Sequence, residues 1–454
     1  LLNAHPLSNS RVSCSPSELF EEVLRHEERY WAEHWPSSLA VNIDRGQQRT
    51  AAANSADTQG NLNRKLARQA VAAATLADIQ DEEDAIALLN FLPANPGTST
   101  KDLARWLRDC YPPHSDETNH PSLWCEHLEP DRIGEHLIVS EADDLEPLLR
   151  KLLYPSRVGT PSLRTWTVLE RASTDPHLNE RVGRILNEVL VEVCQAVHTQ
   201  AVESQSSDLT AGFVKLFSAV RSHIDPDVSY QAKDTLPEGN YLTIFLEYEL
   251  SQHAAEIIIR TDDTSEPDQA TYALRRLSLS RCLANIGRPD DALKVAEQAT
   301  NHYRTLVESN PASYTPDLAT SLNTLAVYLT DNGWHHEALE ASLEATDLYR
   351  DLAKHNPAAY KPNLASCLNT LAILQAENGR KRKALKTSRR ATDLYRDLAK
   401  HNPAAYKPNL ASCLNTLAIL QAENGRKRKA LKTSRRATDL YRDLAKHNPA
   451  AYKP

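Results

Sequence analysis

The chain has 454 residues, 41% hydrophobic and 25% charged, with 12 glycines, 25 prolines, seven cysteines and no methionine; its formal net charge is -8. No apolar run nears the roughly 18 residues that cross a bilayer, and the start LLNAHPLSNS lacks the basic and apolar regions of a secretion signal. Singly scattered cysteines form no disulfide framework, so a protein of the reducing cytoplasm, without membrane attachment, is expected.

From Pro16 to Trp35, PSELFEEVLRHEERYWAEHW predicts an amphipathic helix. Ser15 can cap it, Pro16 suits the first turn, and Leu19, Phe20, Val23 and Leu24 make an apolar stripe. A polar stretch from Asn42 to Asn61 reads as loop. Helices are then expected at Leu62–Leu76, Glu82–Phe91 and Lys101–Cys110, and after a Pro-rich connection at Pro130–Val139. The acidic run Asp81 to Asp84 favours the dipole of the second of these, and Thr98 to Thr100 offers caps for the third. Such compact helices with an extended loop suit a winged-helix-like module over 61–144, preceded by a helix and polar linker over 1–60.

Cys110, His114, His120, Cys125, His127 and His136 are residue types that zinc prefers. The paired Cys-x2-Cys spacing is missing, however. Cys125 and His127 lack a third group to orient a base. They read more simply as ordinary residues around a buried Trp124. No catalytic residue, metal or cofactor is assigned, and the chain is expected not to be an enzyme.

Residues 145–268 read as a helical linker region. In LNERVGRILNEVLVEVCQAV the apolar positions Val182, Ile185, Leu186, Val189, Leu190 and Val193 keep helical spacing. Glu188 and Glu192, four apart, read as a solvated face.

The remainder, 269–454, is repetitive. Ala345 to Arg390 recurs letter for letter as Ala391 to Arg436, and Gly287, Gly333, Gly379 and Gly425 lie 46 residues apart. Each unit holds an apolar run such as LASCLNTLAIL, an Asn-Gly stop and a second helical stretch. Gly379 supplies the left-handed conformation that ends a helix, and Pro357 with Pro362 punctuates an NPAAYKP loop. Four hairpins are expected, starting near Gln269, Pro316, Pro362 and Pro408. Ala326, Gly333, Ala338 and Ala345, then Ala372, Gly379, Ala384 and Ala391, follow the spacing A-x6-G-x4-A-x6-A. That spacing resembles the tetratricopeptide repeat, whose usual unit has about 34 residues. The small residues would let helices approach, with Leu368, Leu371, Leu385, Leu394 and Leu398 filling the space between. The fold class is therefore all-α: a winged-helix-like module and helical linker followed by an α-solenoid of 46-residue hairpins.

Charge is unevenly spread, since residues 345–454 hold 23 Lys or Arg against 8 Asp or Glu. Glu337, Glu340 and Glu344 of the second hairpin give way to Lys383, Lys386 and Arg390 in the third. Two basic faces result: Arg380, Lys381, Arg382, Lys383, Lys386, Arg389 and Arg390, and their copies Arg426, Lys427, Arg428, Lys429, Lys432, Arg435 and Arg436. They can be a solvated surface, hold a polyanion such as nucleic acid, or rest against the acidic amino-terminal half.

ELFEEVLRHEERYW, LARWLRDCYPP, SLWCEHLEPDRIGEHLI and LRTWTVLERASTDPHL resemble, in this order, the region after the nucleotide-binding domain of bacterial NACHT-like, STAND-type signalling ATPases. The resemblance runs from about Ser17 to Pro454 and implies a switch: an ATPase core, a winged-helix segment, a helical linker and a repeat sensor. No Gly here is followed by Lys, so the phosphate-cradling loop is missing. Without an initial Met, and ending inside an inter-repeat stretch, the chain is expected to be a fragment whose ATPase precedes Leu1. The expected function is recognition of a protein or peptide by the solenoid. The alternatives are polyanion binding through the basic repeats and a standalone scaffold.

Overall fold

A computed structural model describes residues 16–36, 39, 52–92, 99–113, 123–128, 131–153, 162–256 and 265–447. Among these residues there are 19 α-helices and no strand. The chain divides into two compact units, Leu1–His253 and Ala254–Pro454.

The first unit begins with α1 (Pro16–Glu33), α2 (Ala52–Leu76), α3 (Glu82–Leu89), α4 (Thr100–Cys110), α5 (Asp131–Ser140) and α6 (Glu146–Leu153). It continues with α7 (Leu163–Ala172), α8 (Pro176–Ser204), α9 (Asp208–Val220), α10 (Pro226–Asp234) and α11 (Ile244–Ala254), the last helix ending one residue into the second unit. Helix α2 packs against α1, α3, α4, α5 and α7. Its second half is buried all round, at Ala67, Ala70, Val71, Ala72, Ala73, Ala74 and Leu76. Close approach of α5 depends on Gly134, where an added Cβ would lie 2.6 Å from Thr75 Cγ2. Trp31, Trp106, Trp166, Phe213 and Phe217 fill the rest of one continuous core.

Two expectations change here. The supposed loop up to Asn61 is helical from Ala52, because Ala52, Ala53 and Ala56 are strong helix formers and Gly60 alone costs only about 1 kcal/mol; residues 42–51 lie outside the described residues. Leu19 is 56% exposed while Leu24 is buried, since five residues turn a helix by about 140°. Phe20 and Val23 do pack against the core.

Capping follows the sequence. Asp81 accepts from Asp84 N at 2.8 Å and Ser99 from Asp102 N at 3.3 Å; Ser15 and Thr98 lie outside the described residues. Along α8 the six apolar positions from Val182 to Val193 are all buried.

The second unit contains α12 (Glu266–Asn285), α13 (Pro289–Ser309), α14 (Pro311–Asp331), α15 (His335–His355), α16 (Pro357–Glu377), α17 (Lys381–His401), α18 (Pro403–Glu423) and α19 (Lys427–His447). Each packs on the next, giving four hairpins of a tetratricopeptide-like solenoid. The 46-residue unit is spent almost wholly on helix: two helices of 21 residues, an Asn-Gly-Arg turn and a single Asn between hairpins.

NPAAYKP is therefore not a loop, and the hairpins start at Pro311, Pro357 and Pro403 rather than at Pro316, Pro362 and Pro408. Asn356 caps α16 by accepting from Ala359 N at 3.2 Å, which places Pro357 in the first turn where no N–H is needed. Pro362 then lies inside the helix. The hydrogen bond it removes would have gone to Ala358 in the exposed first turn, where the carbonyl can tilt to water.

Gly379 has φ +73° and closes α16, with Arg380 N donating to Gln375 O at 2.7 Å across the turn. A Cβ at Gly333 or Gly379 would meet nothing within 4 Å, so these glycines serve backbone conformation and not close packing. Gly379→Ala should cost about 1–2 kcal/mol, and Gly379→Asn less, because Asn tolerates the left-handed region. Urea unfolding of the two variants would check the order; equal and negligible losses would contradict it.

Candidate interaction surfaces of the repeat array

Side-chain volume decides how the array stacks. Ala326, Ala338, Ala345, Ala372, Ala384 and Ala391 are fully buried between helices. Leu368, Leu371 and Leu385 are buried beside them, and Leu394 and Leu398 are half-buried. Asn378, next to the turn glycine, donates to Leu374 O at 2.9 Å and to His335 O of the preceding hairpin at 3.0 Å, and Asn332 and Asn424 repeat the pattern. Besides these sequential contacts, the first helices α14, α16 and α18 touch one another, whereas the second helices make no comparable contact among themselves. Two rows of helices result, each with its own exposed face.

The basic residues occupy the second-helix row. Arg380, Lys381, Arg382, Lys383, Lys386, Arg389 and Arg390, and their copies from Arg426 to Arg436, are all exposed. Among the described residues none of these fourteen pairs with a carboxylate, while Arg396 and Lys400 further along α17 bind Asp393 and Asp397. At about 100° per residue, Arg382, Lys383, Lys386, Arg389 and Arg390 share one face of roughly 120°. The opposite face is the buried one, with Ala384, Leu385, Ser388, Ala391 and Tyr395. The same five positions read His336, Glu337, Glu340, Leu343 and Glu344 on α15, and Asp290, Asp291, Lys294, Glu297 and Gln298 on α13. The outer stripe thus changes sign along the array.

The first-helix row carries residues that sequence reasoning passed over. Val327, Ile373 and Ile419 hold one position of α14, α16 and α18 and are 40%, 41% and 52% exposed. In sequence Ile373 vanishes into the apolar run LASCLNTLAIL, yet it points about 140–200° away from Leu364, Leu368 and Leu371. That angle was the available signal. One turn before each lie Asn323, Asn369 and Asn415. The Oδ1 atoms of Asn323 and Asn369 are shielded and accept no hydrogen bond. Apolar and amide side chains therefore recur together along helices in direct contact.

The Cys and His residues of the first unit do something else. Burial pushes the thiols of Cys110 and Cys125 up to about 12, so both stay protonated at neutral pH. His127 Nε2 lies 3.6 Å from Asp78 Oδ1, and burial lowers its pKa. His136 Nε2 lies 3.4 Å from Glu21 Oε2 and ties α5 to α1. His114 and His120 lie outside the described residues. Among the described residues no three His, Cys, Asp or Glu side chains are grouped to hold a metal. Trp124 is half-buried instead of buried, with the Arg108 guanidinium 5.2 Å from its ring centre. Glu188 is exposed and bound by Arg150 at 2.5 Å, which holds its carboxyl below the usual range, and Glu192 is exposed. No helix among the described residues is long and apolar enough to cross a membrane.

No protein-family model matches the sequence, and no curated protein matches it. Among solved structures, a putative kinesin light chain of Podosopora anserina with nearly identical TPR-like repeats is similar at 17% identity, covering 51% of this chain and 98% of that one, with a TM-score of 0.36. The apo form of RapI is similar at 15% identity, covering 67% of this chain and 72% of that one, with a TM-score of 0.33. A STAND protein with a tetratricopeptide repeat sensor from Pyrococcus horikoshii is similar at 12% identity, covering 97% and 74%, with a TM-score of 0.33.

Proposed function

We propose that the repeat array recognises a protein or peptide along its first-helix row. The observation that carries this is the register of Val327, Ile373 and Ile419 beside Asn323, Asn369 and Asn415 on helices that touch one another. Exposed β-branched side chains give up water on contact with an apolar ligand group, and an asparagine amide N–H can donate to a peptide carbonyl at each step. The chain as a whole acts as the carboxy-terminal part of a STAND-like signalling ATPase in the cytoplasm, with a winged-helix-like segment and linker between switch and sensor; that part of the proposal rests on the order of the four motifs from ELFEEVLRHEERYW to LRTWTVLERASTDPHL.

A peptide array screened with the full chain tests the recognition. Captured peptides should bind at least about tenfold more weakly to Ile373→Asp/Ile419→Asp, a loss of about 1.4 kcal/mol or more. Peptides that bind the variant as well as the parent would remove the first-helix row from the proposal. The coding sequence preceding Leu1 tests the second part: a Gly-Lys-Ser/Thr loop is expected there, and a gene without one would leave a standalone scaffold.

A further inference from the structure

We propose that the outer stripes of α17 and α19 form a docking surface for the phosphate backbone of double-stranded nucleic acid. This surface is separate from the first-helix row.

Charge density selects the ligand. Arg382 to Arg390 place five cations along roughly 12 Å of helix at about 1.5 Å per residue, or one per ~2.4 Å. A duplex carries one phosphate charge per about 1.7 Å of its axis and can match that density. An extended acidic peptide turns a side chain to one side only every ~6.8 Å and cannot. Each stripe contains three Arg and two Lys, and the guanidinium fork meets phosphate oxygens in bidentate fashion.

Symmetry points the same way. The two stripes are identical in sequence and lie one 46-residue period apart, so both select one chemistry, as a ligand of repeating charge offers. No aromatic residue interleaves the cations, so the stacking platform that single strands use is absent, and binding is to the backbone without regard to base sequence. The fourteen cations also find no carboxylate among the described residues, whereas Arg304 on α13 is engaged with Glu344 of the acidic stripe. Binding is therefore confined to the last two hairpins, the acidic α13 and α15 repelling the polyanion.

Titration of the full chain with a 20-base-pair mixed-sequence duplex at increasing salt tests this. Each phosphate neutralised contributes about -0.9 to the slope of log affinity against log salt, so five contacts predict about a 500-fold loss between roughly 50 and 200 mM. Lys383→Glu/Lys386→Glu/Arg390→Glu installs the residues that α15 already carries at these positions, which protects the fold, and should flatten the slope; adding Lys429→Glu/Lys432→Glu/Arg436→Glu should abolish binding. No binding at low salt, or a slope unchanged in the variants, overturns the proposal. So does preference for inorganic polyphosphate or poly-glutamate over the duplex. Salt-sensitive self-association through the same stripes without duplex binding, seen by sedimentation, overturns it equally.

Discussion

Arg68→Ala should lower the unfolding free energy of the first unit by about 3–5 kcal/mol. Arg68 Nη1 lies 2.7 Å from Glu28 Oε1, its Nε lies 2.7 Å from Glu141 Oε1, and its Nη2 donates to Ser140 Oγ at 2.9 Å. One guanidinium thereby joins α2 to α1 and to the turn after α5. The side chains of Arg68, Glu28 and Glu141 are only 12%, 8% and 9% exposed. Removing the cation leaves the shielded Glu141 carboxylate without its ion-pair partner and Glu28 with Arg64 alone, and that poorly compensated burial is the main cost. Replacing all three by apolar residues, Arg68→Met/Glu28→Leu/Glu141→Leu, should cost far less, because it removes the desolvation penalty with the attraction. Acidity gives an independent check. Burial holds the Glu141 carboxyl above its usual pKa even beside Arg68. Its ionisation thus opposes folding at neutral pH, and this penalty fades as pH falls through the folded-state pKa. With Arg68 gone the penalty grows, so the deficit of Arg68→Ala should shrink between pH 7 and pH 5. Chemical denaturation at the two pH values decides it: a deficit under about 1 kcal/mol, or one that deepens with acid, rejects the account.

Tyr349→Ala should cost the repeat array about 3–5 kcal/mol, the usual range for emptying a buried aromatic site. The ring is 2% exposed. Its hydroxyl donates to Pro316 O at 3.1 Å, accepts from Asn363 Nδ2 at 3.1 Å, and lies 2.5 Å from Thr320 Oγ1. The side chain of α15 therefore fastens α14 of its own hairpin and α16 of the next. Tyr349→Phe keeps the ring and should lose only about 1 kcal/mol. Because each repeat touches only its neighbours, hydrogen exchange should accelerate in α14 to α16 of the alanine variant before it does in α12. Uniform acceleration, or equal losses in the two variants, would show that the ring does not act as this local fastener.

Much of the architecture was legible because it depends on near neighbours in the chain. Asp81 and Ser99 cap helices through atoms three residues away, and Gly379 ends one through its own φ. The hairpin count followed from the 46-residue period. The proline signal misled for the same local reason: Pro362 reads as a break, yet helix start and stacking contacts from α15 and α17 outweigh one missing N–H in an exposed turn.

By itself, the sequence determined the paired helices, their period, their turn glycines and the two basic stripes, since helical spacing of charge and apolar residues is fixed at 100° per residue whatever lies outside. Only the tertiary structure decided that Leu19 and Ile373 face solvent, that Trp124 is half-buried, that Glu28 and Glu141 converge on Arg68, and that α14, α16 and α18 touch in succession. Exposure and buried pairing depend on which surfaces of distant segments meet, and that is settled by how whole helices fill space together.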